Sequence, residues 1–304
     1  MAFSGVDAVV LGVADIGASR RFLADCGLRE VFAAPDRLVC ETRDGGEIVV
    51  RPADAPDLPP APTPGAVLRE VVWGVADAAA LKGALTRLGA AEALVPGPDG
   101  LPRALDPAGL RLAFRVSRRR SVKVAPIAAN APGNPARIDL RATPPDPVEP
   151  VRIGHLALHA SDLAAMRAFY TEAMGFLVSD ESPGHATFLR CRRRGAHHDL
   201  LLVGRDAPPG LDHLGLTLAD GREVIGAGRA LARGGWQALA GPGPLEVSSA
   251  WAWRFASPLG VPVEFHADDD YCTEAWVPGH FAPGAETTFG WALSGARAGD
   301  AGPG

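Results

Sequence analysis

Apolar residues along this chain recur in short runs, each followed by an amphipathic stretch with helical spacing, and the order of these runs repeats. The segment VVLGVADIGASRRFLADCGLREV, from Val9, sets out an apolar strand, an aspartate, a helix carrying an aromatic, a glycine and a second strand. The segment LALHASDLAAMRAFYTEAMGFLV, from Leu156, repeats that order. Asp15 falls on Asp162, Phe22 on Phe169 and, after a one-residue adjustment, Gly27 on Gly175. A second kind of segment recurs as LREVVWGVADAAALKGALTRLGA and LDHLGLTLADGREVIGAGRALARGGW, where Asp77 matches Asp220. Similar turns close both, DPAGLRLAF from Asp106 and SPLGVPVEF from Ser257. The pattern predicts an α+β fold of four βαβββ units in two pairs. A single unit cannot cover its own sheet, whereas two can curl their sheets around one cavity, so each pair is expected to form a curved-sheet domain.

Proline and glycine density locates the joints. Residues 117–150, with APIAANAPGNPARIDLRATPPDPVEP after SRRRSVKV, read as a linker or surface arm between domains at 1–116 and 151–284. The stretch 285–304, ending SGARAGDAGPG, reads as a frayed tail.

Composition narrows the class. With 304 residues, 47% of them hydrophobic and 21% charged, the chain can bury two cores. A net charge of −5 gives no footprint for nucleic acid, and the clusters Arg118 to Arg120 and Arg192 to Arg194 read as solvated strand ends or turns. No apolar run approaches the roughly 20 residues that span a bilayer, and the first residues lack a basic region before their apolar stretch, so a cytoplasmic location with no membrane contact is expected. Cys26, Cys40, Cys191 and Cys272 are scattered without a CxxC pair and read as free thiols.

The chemistry concentrates in the second half. His155 in VRIGHLALHASDL, His213 in GLDHLGLTLAD and Glu264 in ASPLGVPVEF each lie in a short apolar run. Two neutral nitrogen donors and one anionic oxygen, with other positions open, form the ligand set of a non-haem Fe(II) site that takes a substrate and oxygen together. Each residue alone has a structural explanation, but a carboxylate between Val263 and Phe265 costs several kcal/mol to bury unless paired or coordinated. The repeat acts as a control: the matching N-terminal positions are Ala8, Glu70 and Ala113, so only the C-terminal pair is expected to bind metal.

The stretches GHLALHASDLAAMRAFYTEAMGF, AHHDLLLV, LDHLGLTLAD, SPLGVPVEF and DDDYCTEAW resemble the vicinal oxygen chelate superfamily, within it the two-domain extradiol ring-cleaving dioxygenases. That resemblance implies the glyoxalase/bleomycin resistance/dioxygenase fold, a metal-free first domain, Fe(II) or Mn(II) on the triad, a catecholic substrate with O2, and a homo-oligomer. It places the acid–base histidine at His198, just before Asp199. His197 and His198, read as adjacent strand positions, are expected to point to opposite faces.

Two positions depart from the family pattern. Arg254 stands where a tyrosine is common and Leu245 where a histidine is common. A guanidinium can neutralise a carboxylate or an oxyanion but cannot donate its proton, so an inward Arg254 implies an anionic group near the metal. Trp251, Trp253 and Phe188 are expected to wall an apolar ring pocket, with Tyr271, Trp276 or His280 reaching its mouth from an arm after the acidic run Asp268 to Asp270. His159, four residues after His155, reads as a rim or core histidine. Two other readings remain open at this point: a non-oxidative lyase or isomerase of the same fold, in which Glu70 is the one candidate for a further carboxylate ligand, and a metal-free protein that binds an aromatic compound.

Overall fold

A computed structural model describes residues 3–89, 94–125, 128–142 and 147–284; the tail expected from 285 lies outside the described residues. The first unit comprises β1 (Phe3–Val13), α1 (Ile16–Asp25), β2 (Arg29–Ala34), β3 (Arg37–Glu41) and β4 (Glu47–Pro52). The second comprises β5 (Leu68–Val75), α2 (Ala78–Gly89), β6 (Val95–Pro96), β7 (Pro102–Leu105) and β8 (Arg111–Val116). The third comprises β9 (Arg152–Ala160), α3 (Leu163–Ala168) with a π-helical turn over Phe169–Ala173, β10 (Leu177–Ser182), β11 (Ala186–Arg190), β12 (Gly195–Ala196) and β13 (Leu200–Gly204). The fourth comprises β14 (Gly210–Thr217), α4 (Gly221–Arg233), β15 (Ala238–Pro244), β16 (Trp251–Phe255) and β17 (Val263–Ala267), after which an arm carries β18 (Tyr271–Cys272) and β19 (Gly279–His280).

The repeated aspartates have one job. Asp15, Asp162 and Asp220 are the N-caps of α1, α3 and α4, and the Asp77 side chain accepts from Ala80 N at the start of α2. Each satisfies backbone N–H groups that a helix start leaves without partners, which fixes where strand gives way to helix in all four units.

Strand order is β2-β3-β4-β1-β5-β8-β7-β6 in the first sheet and β15-β16-β17-β14-β9-β13-β11-β10-β19 in the second. Within each, the first strands of two units pair antiparallel (β1 with β5, β9 with β14), and each also pairs parallel with the last strand of its own unit. The matched positions therefore share a register. Ala8 pairs with Val72 and Val72 with Ala113 in the first sheet; His155 pairs with Gly215 and Gly215 with Glu264 in the second. Ala8, Val72 and Ala113 are buried against one another, with Leu101 packed on them, so the first sheet fills with apolar side chains the place where the second holds its donors. Glu70 is paired in that first sheet with Arg103, at 2.7 and 3.1 Å.

One apolar cluster runs through both halves, from Phe3 and Trp73 to Phe176 and Phe265. Phe176 lies edge-on to Trp73, with ring centroids 5.0 Å apart, and Tyr170 donates to Asp106 across the joint at 3.0 Å. The arginine clusters are less solvated than their sequence suggests. Arg119 is drawn onto fully buried Asp7 at 3.0 Å, and Arg192 donates to Asp199 at 3.0 Å, because each acid is buried and needs a counter-ion. All four cysteines are free and buried. Among the described residues no helix is long and apolar enough to cross a membrane.

Candidate metal centre

The second sheet turns one set of alternating side chains toward its helices and the other toward a concave face. His155, on β9, lies over Gly215 of the neighbouring strand, where a Cβ would stand 2.4 Å from the imidazole; glycine is needed there for the ring to fit. His213 enters from β14 and Glu264 from β17, and all three are at least 97% buried. His155 Nε2 and His213 Nε2 are 3.0 Å apart, with Glu264 Oε1 at 3.6 and 3.9 Å from them. These three residues form the one cluster of His, Cys, Asp and Glu donors among the described residues that is compact enough to hold a metal ion.

The donor set fits a divalent cation. Asp212 Oδ1 lies 2.7 Å from His213 Nδ1, so that nitrogen carries the hydrogen and Nε2 presents its lone pair to the centre. Burial, followed by the His266 and His213 rings, drives the His155 pKa well below its usual range and keeps that imidazole neutral, as a ligand must be. Burial pushes the Glu264 carboxyl up, but Arg254 and the two neighbouring histidines overcome it and hold the pKa at about 2. Arg254 donates from Nε (3.1 Å) and Nη2 (2.7 Å) to Oε2 of Glu264, leaving Oε1 as the oxygen that faces the imidazoles. A cation about 2.1 Å from each donor can span this triangle.

A ring of supporting residues surrounds the triad. Asp212 also holds His159 Nε2 at 2.7 Å through Oδ2, and these two contacts keep its carboxyl well below the usual range despite burial. His266, whose ring centre is 4.7 Å from that of His155, is bonded to Asp269 at 2.9 Å and to Thr217 at 3.1 Å. Asp269 outweighs burial and raises the His266 pKa. Replacing Asp212 by Asn should weaken metal binding by about 10- to 100-fold, because the amide no longer enforces the His213 tautomer. Competition with a chelator measures this, and an unchanged affinity would remove Asp212 from the site.

His198 stands beside the triad, its ring centre 4.4 Å from that of His155. Burial, then the neighbouring imidazoles that disfavour a further positive charge, lower its pKa well below the usual range. The expectation that His197 and His198 point to opposite faces is corrected. Residues 197–199 lie outside any strand, because Asp199 accepts from Cys191 N and Arg192 and bends the backbone; both histidines are buried, with their Nδ1 atoms 3.1 Å apart.

The other sequence candidates divide. Phe188 lies against His198 at 5.1 Å and belongs with Ala157, Leu201, Val203 and Val247 to a buried apolar cluster on the concave face. Arg254 points inward, and its counter-ion is Glu264 itself. Trp251 and Trp253 lie on the opposite face of β16, packed on α4, where a Cβ on Gly228 would stand 1.9 Å from the Trp253 ring. With Arg254 inward, period-two alternation sends Trp251 and Trp253 to the helix side. Tyr271 is 65% exposed on β18 rather than part of the apolar cluster. Trp276 instead reaches inward, donating to Ser179 O at 2.8 Å.

Sequence reading passes over Asp212, Asp180 and His266, and takes Asp269 only as part of an acidic run before the arm, whereas it holds His266. Asp212 has a local signal, since it directly precedes the candidate ligand His213; Asp180 has none, because its partners lie 17 and 99 residues away.

Residues 152–265 match the Glyoxalase/Bleomycin resistance protein/Dioxygenase superfamily. Metapyrocatechase 2 of Cupriavidus necator is 30% identical over 137 residues, which are 44% of this chain and 42% of that protein, so the match spans less than half of the relative. The Mn(II)-bound glyoxalase of Novosphingobium aromaticivorans superposes with a TM-score of 0.74 at 21% identity, covering 96% of this chain and 92% of that one. The 2,3-dioxygenase LapB of Pseudomonas sp. KL28 superposes with a TM-score of 0.73 at 17% identity, covering 92% and 98%. At these identities the structural likeness is one of fold. By matched sequence, residues 152–265 are a domain of the Glyoxalase/Bleomycin resistance protein/Dioxygenase superfamily, set in a chain that has the two-domain fold of these structures.

Proposed function

We propose that the chain is an extradiol dioxygenase that opens a catecholic ring beside its vicinal hydroxyls, using O2 and Fe(II) held by His155, His213 and Glu264. The observation that carries this reading is the convergence of two neutral imidazoles and one ionised carboxylate oxygen on a single buried centre. Three ligands leave coordination positions for two substrate oxygens and dioxygen. The likeness to Metapyrocatechase 2 supports it.

Fe(II), when bound there, supplies the electron transfer between an aromatic diolate and dioxygen that lets both oxygen atoms enter the product. The chain's own residues bind, orient and move protons. His198 takes the phenolic proton at Nε2, its Nδ1 being engaged with His197. Arg254 neutralises Glu264 and fixes which of its oxygens faces the centre, so the anionic group that this cation implies is the protein's own ligand. Phe188, Ala157, Leu201, Val203 and Val247 give an apolar wall that keeps water from the reacting ring. Glu70, the one candidate for a fourth ligand of a lyase or isomerase, is held by Arg103 in the other sheet, which weighs against that reading.

Oxygen uptake after anaerobic reconstitution with Fe(II), against neutral and carboxylated catechols, tests the proposal. One O2 consumed per ring, with a yellow ring-opened product, is the expected result. A chain that keeps its metal and consumes no oxygen on any catechol would move the assignment to the non-oxidative chemistry of the same fold.

A further inference from the structure

We infer that Asp180 and His197 are positioning residues that hold His198 as its Nδ1–H tautomer, leaving the Nε2 lone pair as the proton acceptor. The C-terminal arm is fastened to the same carboxylate. This rests on the reading of His198 as the acid–base group.

The argument runs inward from the carboxylate. Asp180, on β10, lies with Oδ2 2.7 Å from His197 Nε2. An ionised carboxylate only accepts, so His197 Nε2 carries the hydrogen and, in a neutral ring, His197 Nδ1 carries the lone pair. That lone pair is 3.1 Å from His198 Nδ1, and one of the two nitrogens must donate. His198 Nδ1 is then the donor, and its Nε2 is left free to accept a proton. The second oxygen of Asp180 accepts from Gly279 N at 2.6 Å, where β19 pairs with β10.

Packing keeps this chain of contacts in place. Phe188 and Trp276 meet the His197 ring edge-on, at 5.4 and 5.8 Å, and block its rotation. Ser179 donates to His197 O and is itself held by Arg190 at 2.9 Å. The arm adds Phe281, whose N–H donates to Glu181 O at 3.0 Å and whose ring packs on the apolar cluster of the concave face. One buried acid thus fastens both the arm and the tautomer.

Asp180→Asn keeps shape and changes the logic. An amide offers one acceptor and one donor in place of two acceptors. Gly279 N–H claims the acceptor, so the amide NH2 faces His197 Nε2, which must give up its hydrogen to Nδ1. His198 Nδ1 then becomes the acceptor, and the His198 hydrogen moves to Nε2.

The test is 15N NMR of imidazole nitrogens in the full chain loaded with diamagnetic Zn(II), before any activity is read. In the unaltered protein His198 Nδ1 should be the protonated nitrogen, scalar-coupled across the hydrogen bond to His197 Nδ1. In D180N the protonated nitrogen should be Nε2, and kcat of the Fe(II) enzyme should fall by about 10²-fold with KM within a few-fold. A hydrogen on Nε2 of His198 in the unaltered protein overturns the proposal, even if the variant does not fold; so does an unchanged tautomer in D180N. An inverted tautomer with undiminished turnover upholds the positioning role and sinks instead the acid–base role of His198.

Discussion

Replacing His155 by Ala is expected to leave a folded chain that binds no metal and consumes oxygen at least about 10³-fold more slowly, since the several kcal/mol that the metal supplies to the transition state are lost. His155 is the cleanest of the three ligands to remove. Glu264→Ala would strand Arg254, whose guanidinium is bonded to Glu264 Oε2 in a buried setting, and breaking such a pair costs about 3–5 kcal/mol of stability. His213→Ala would free Asp212 from one of its two histidines. Among the described residues His155 Nδ1 has no protein partner, so removing the ring breaks no hydrogen bond outside the triad. The measurement is metal content and oxygen uptake on the same sample. A His155→Ala protein that still holds one tightly bound metal per chain would refute the triad.

His198→Gln should separate proton transfer from metal binding. The imidazole touches His155 but stands outside the ligand set, so metal content should be retained while kcat falls by about 10²- to 10⁴-fold, the usual contribution of a placed acid–base group. Glutamine keeps a polar side chain beside Phe188 and His197 without a titrating nitrogen. A kcat within a few-fold of the original would transfer the proton to another group, and His266, held by Asp269 on the other side of His155, is the neighbour to examine next.

The residues that the sequence made legible are those whose role repeats or whose chemistry is costly to hide. Four aspartates at matching places became four helix starts, and Glu264 between two apolar neighbours became a ligand candidate because a carboxylate buried there calls for pairing or coordination. The vacancy of the first sheet was equally legible, since Ala8 and Ala113 offer no donor and Glu70 only one. What escaped depends on contacts far apart in the chain. The bend at Asp199 that turns His197 and His198 toward each other comes from its bonds to Cys191 and Arg192, and the Asp180 clamp depends on a strand from the arm. Trp251 and Trp253 differ in kind: their aromatic type suggests a ring wall, but adjacency to an inward Arg254 sends both to the helix side.

The contrast between the two sheets carries a consequence for how the chain tolerates change. At the register shared by Ala8, Val72 and Ala113, an apolar residue of similar volume preserves packing, so substitution there is limited by size and polarity. At the matching register of His155, Gly215 and Glu264, chemistry counts as well as size: Gly215 must make room for the His155 ring, and His155 and Glu264 supply two donors of the candidate metal centre. The same register thus asks for volume in one half of the chain and for particular side chains in the other.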